Sequence, residues 1–70
     1  MEHLSEKEIE IVNYMLDCGM DEETIFAVLM AADTSEYQDK ILEYMYNVKE
    51  LSRDGIMSEL KRIYLELEEK

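Results

Sequence analysis

Apolar positions recur along this chain at three- and four-residue intervals, in four runs that each follow a residue able to cap a helix. In the first, SEKEIEIVNYMLDCG, Ser5 and Glu8 are spaced as a capping box, in which serine and glutamate oxygens each accept from a free backbone N–H. Ile9, Val12 and Leu16 then recur at i, i+3 and i+7 with Met15 beside them, which predicts one buried stripe. Gly19 supplies the left-handed conformation that stops a helix, and Met20 after it can fold back on the last turn.

Asp21 can cap the second run, with Glu22 and Glu23 adding negative charge at the positive end of the helix dipole. Ile25, Val28, Leu29 and Ala32 share a face, Phe26 and Met30 flank it, and Ala27 and Ala31 fall opposite. A helix apolar nearly all round is usually buried on several sides, so IFAVLMAA is expected to be the central helix. Thr34 and Ser35 offer caps for the third run, whose inward stripe is Tyr37, Ile41, Tyr44, Met45 and Val48, with Leu42 and Tyr46 pointing elsewhere. The fourth starts at Ser52, where Leu51 and Ile56 are spaced as a hydrophobic staple, and continues as Ile56, Leu60, Ile63 and Leu67. Gly55 weakens its first turn by up to about 1 kcal/mol.

The pattern predicts an all-α fold, a compact bundle of four short helices forming one domain over residues 1–70. Its expected core is Ile9, Val12, Leu16, Ile25, Leu29, Ile41, Met45, Leu60 and Ile63. The fourth stripe suits docking within the chain and also a short coiled-coil seam, so both a monomer and a homodimer are compatible with it.

Length and charge narrow the functions. Seventy residues support a single core. The net charge of −11 is uneven, with −10 on residues 1–48 and −1 on residues 49–70. Nucleic-acid binding needs cations that neutralise phosphates, and the first two-thirds of the chain hold only Lys7 and Lys40. Direct binding to DNA or RNA is set aside, whereas a basic protein partner would be steered to such a surface. One cysteine allows no internal disulfide, and with His3 the lone histidine there is no Cys/His zinc cluster. The acidic start does not read as a signal peptide, and the eight-residue apolar block falls short of the roughly 20 residues of a membrane span. A cytoplasmic protein without membrane contact is the expectation.

Catalytic chemistry has little to build on, because a triad needs a nucleophile, a base and an orienting group, and the one histidine lies near a terminus. Asp17, Asp21, Glu22 and Glu23 cluster without the alternating spacing and glycine of a calcium loop, and helix capping explains most of them. A redox cysteine needs an electropositive setting, whereas Cys18 sits between Asp17 and Asp21 and reads as a plain, half-buried thiol. No cofactor and no enzyme activity are expected.

Two surfaces suit a protein partner. Glu6, Glu10, Asn13 and Asp17 line one face of the first helix, and a carboxylate every turn, about 6 Å apart, resembles the interval between backbone phosphates. Leu42 with Tyr46, and Phe26 with Met30, lie off their main stripes; either pair can face the fourth helix, or mark a binding surface if exposed. The candidate interaction residues are therefore Leu42, Tyr46, Phe26 and Met30, with the acids Glu6, Glu10 and Asp17.

Residues 9–46 resemble the three-helix ubiquitin-associated domain, in which a Met-Gly-Phe-like loop joins the first two helices. Gly19 matches that glycine, Met20 takes the aromatic position, and FAVLMAA looks like the second helix of that family. The resemblance implies a similar helical fold. Ubiquitin binding does not carry over, since Cys18 replaces the methionine, the loop before the third helix is longer and a fourth helix is added. The stretch GMDEETIFAVLMAADTSEYQDKILEYM also resembles small acidic proteins of bacteria and their mobile elements, which implies a bacterial or phage origin. The expected function is a small acidic non-enzymatic protein-interaction module. The alternative is an acidic nucleic-acid mimic that blocks a DNA- or RNA-binding protein.

Overall fold

A computed structural model describes residues 4–69 of the chain; His3 lies outside them. Four helices follow one another: α1 (Glu6–Asp17), α2 (Glu22–Ala31), α3 (Ser35–Asn47) and α4 (Arg53–Glu68). The fold is all-α, a compact four-helix bundle with no strand among the described residues.

Each start is made by its own cap. The Ser5 side chain accepts from the Glu8 N–H at 3.2 Å, while the Ser5 N–H donates to Glu8 Oε1 at 2.8 Å, completing the capping box. Asp21, Thr34 and Ser52 accept from the backbones of Thr24, Tyr37 and Gly55. α1 ends at Gly19, whose φ of +79° only glycine adopts cheaply, and Met20 N–H donates to Met15 O while Gly19 N–H donates to Leu16 O. Gly55 has a different reason: a Cβ there would meet the Tyr44 hydroxyl at 2.7 Å, so its absence leaves room for the tip of that side chain against α4.

The helices form a closed ring rather than a core helix with satellites. α1 packs on α2 and α3, and α4 packs on the other sides of the same two. The expected central role of α2 is therefore corrected: Thr24, Ile25 and Val28 are buried, but Phe26 and Met30 are 64% and 80% exposed. The slab measures 32 × 31 × 19 Å, about two helix diameters thick, so every helix keeps an outward face.

The core comprises Ile11, Met15, Ile25, Val28, Ala32, Tyr37, Ile41, Leu42, Met45, Ile56, Leu60 and Ile63. Five of the nine expected core residues are there: Ile25, Ile41, Met45, Leu60 and Ile63. Val12 and Leu29 only flank it, and Ile9 and Leu16 are 46% and 54% exposed. The correction has a physical cause. α1 carries a second apolar row, Ile11 and Met15, and α3 packs on that row, where the Tyr14 hydroxyl also donates to Met45 O at 3.0 Å. Leu42 is only 7% exposed. Polar groups inside are paired: Tyr37 Oη donates to Leu60 O, and Gln38 Nε2 to Ala32 O, tying the end of α2 to α3.

Candidate protein-docking surface

The two apolar rows of α1 lie about 110° apart at 3.6 residues per turn. One is spent on the core. In the other, Ile9, Val12 and Leu16, the last two lie beside α2, which presents Ile25, Phe26 and Leu29 to them. Between the helices lies an open groove of about 450 Å³, lined by Val12, Leu16, Ile25, Phe26 and Leu29, with Glu22 its one charged lining residue.

The acidic row expected on α1 is present and exposed: Glu6, Glu10 and Asp17, with Asn13 between them. They line a shallow depression with Ile9, Tyr14 and Tyr46, so the acidic and apolar rows are neighbours on one helix. Glu10 accepts a short hydrogen bond from the Tyr46 hydroxyl, and this bond, aided by burial, holds that phenol above its usual pKa. The Tyr46 ring meets Tyr14 edge to face at 5.0 Å. The expected pairs thus separate. Leu42 is core, Tyr46 seals the α1–α3 joint, Phe26 lines the groove, and Met30 lines a second cleft.

That second cleft, about 680 Å³, lies between the ends of α2 and α4, where Tyr64 and Leu67 also line it. Its charged rim is mixed, with Lys61 beside Asp33 and Glu68. The charges from Glu8 of α1 to the end of α2 are of one sign: six acids and no lysine or arginine. The cations that bracket this stretch are engaged, Lys7 with Asp39 at 2.9 Å and Lys40 with Glu66 at 3.0 Å. Asp21 is held below its ordinary value of 3.8, chiefly by the hydrogen bond from the Thr24 hydroxyl, so it stays ionised at the α2 N-terminus.

Cys18, the C-cap residue of α1, is exposed rather than half-buried. Among the described residues, no three His, Cys, Asp or Glu side chains are grouped so as to hold a metal ion, and no helix is long and apolar enough to cross a membrane. The groove residues Val12, Leu16 and Leu29, and Ile9 on the acidic side of α1, were expected inside, and the missed signal was the doubled apolar pattern of α1: two rows so far apart cannot both face one neighbour. Comparison of the chain with protein-family models, with curated proteins and with solved structures gives no match.

Proposed function

We propose that this chain is a small acidic interaction module that works by binding another protein, without a catalytic step, through the groove between α1 and α2. One observation carries the reading: Leu16 and Phe26, each more than half exposed, line one groove together with the half-buried Val12 and Leu29. Exposed apolar surface on this scale costs solubility and marks a contact site when it is contiguous and rimmed by polar groups. Aromatic and aliphatic anchors in such a groove gain affinity on desolvation.

The acidic row favours a second reading, that of a nucleic-acid mimic, since Glu6, Glu10 and Asp17 face solvent at one- and two-turn spacing. Affinity capture with three baits separates the two: the parent, Phe26→Ser, and Glu6→Gln with Glu10→Gln. Partners lost by Phe26→Ser and kept at high salt support groove docking. Partners that Phe26→Ser keeps, but that salt or the Gln variant releases, support mimicry, because exposed charge pairs are screened as the Debye length falls.

A further inference from the structure

We infer that the occupant of the α1–α2 groove is an amphipathic helix of another protein, apolar on one side and rich in lysine and arginine on the other; this rests on the docking reading above. Three observations converge. The groove runs between two helices, so its floor is a furrow between side-chain ridges, the shape into which a third helix packs. Its lining along α2, from Glu22 to Leu29, spans about 10 Å at 1.5 Å per residue, so a visiting helix of about three turns covers it with anchors at i, i+3 or i+4, and i+7. The flanks are acidic: Glu6, Glu10 and Asp17 lie beyond the α1 row, and Glu22 lies in the groove itself.

The charge pattern selects among occupants. A second copy would bring its own Glu6, Glu10, Asp17 and Glu22 against these, setting like charge on like charge. An anionic lipid surface is repelled for the same reason. A basic helix places its cations over the carboxylates while its apolar side desolvates Leu16 and Phe26. The charges then set orientation and encounter rate, and the anchors set lifetime.

The test uses the full chain, isotope-labelled for amide NMR, and three synthetic peptides of roughly 12 residues, about three helical turns. The first has leucine and phenylalanine on one helical face and lysine and arginine on the other. The second is the same composition scrambled, and the third keeps the apolar face but replaces the cations with glutamate. The first peptide is expected to bind at least about tenfold more tightly than either control, with shifts centred on Val12, Leu16 and Phe26. Leu16→Ser and Phe26→Ser should each weaken it about tenfold while far-ultraviolet circular dichroism stays unchanged. Met30→Ser, more exposed still but off the groove, should bind as the parent does. Equal binding of the scrambled peptide overturns the inference in favour of charge alone. Equal binding of the glutamate peptide overturns the basic partner but leaves groove docking standing. Binding by none of the peptides, or binding of phosphatidylglycerol vesicles instead, also overturns the helix, whereas docking itself is judged separately by loss of captured partners from Phe26→Ser.

Discussion

The α3–α4 seam and the α1–α2 side are built from similar material and finished differently. On α4, Ile56, Leu60 and Ile63 sit inside, and the charges around them are matched: Arg62 lies between Glu59 and Glu66, and Lys40 of α3 reaches Glu66. On α1, Ile9 and Leu16 of an equally regular row lie open, and the charges beside them, Glu6, Glu10 and Asp17, are all of one sign. The seam has its apolar groups covered and its charges paired within the chain. The other side leaves both kinds of surface unsatisfied, and they are complementary to one kind of visitor.

Substitutions sharpen the contrast, starting with the largest effects. Ile63→Ala and Ile11→Ala, at fully buried positions, should each cost about 2–5 kcal/mol in denaturant unfolding. For a chain whose whole stability is about 4–10 kcal/mol, that is enough to unfold much of it. Ile9→Ala, only two residues from Ile11, should stay within about 0.5 kcal/mol; a loss like that of Ile11 would show that the outer row is core after all. Gly19→Ala should cost about 1–2 kcal/mol through its left-handed backbone alone, since nothing lies within 4 Å of the added methyl. Ser52→Ala should cost about 1 kcal/mol by uncapping α4.

The smallest expected effect is on pH. Asp21 is depressed by the Thr24 hydroxyl and Glu66 by the hydrogen bond from Lys40, below ordinary values of 3.8 and 4.5. A carboxylate with a lowered folded pKa stabilises fully above its unfolded value and loses that contribution as pH falls through the folded one. Melting temperatures taken downward from pH 5 should therefore drop less for Asp21→Asn, which still caps α2 but no longer titrates, than for the parent. Parallel curves would show that the cap bond adds nothing beyond what asparagine supplies.

Local signals were legible in the sequence and tertiary choices were not. The caps at Ser5, Asp21, Thr34 and Ser52 and the stop at Gly19 depend on residues within a few positions of one another, and all stand where the pattern puts them. Which side of α1 turns inward depends on α3, far along the chain. Leu16 and Met15 are neighbours of similar apolarity, and only the bond from Tyr14 to Met45 and the packing of Ile11 decide between them. The same holds for Leu42 and Tyr46, which turn toward α1 rather than α4, with Tyr46 bonded to Glu10. The acidic row was readable as a surface because charge is costly to bury anywhere.

The ring of helices also bears on how quickly the chain finds its shape. Two of its four seams, α1 with α2 and α3 with α4, join elements adjacent in sequence, and the other two skip a single helix, so few contacts require closing a long loop. Such local topologies fold in microseconds to milliseconds, and without proline there is no slow prolyl isomerisation to divide the molecules into fast and slow populations. Refolding after a denaturant jump should accordingly be a single sub-second exponential, finished early in the synthesis and release of even a short-lived polypeptide.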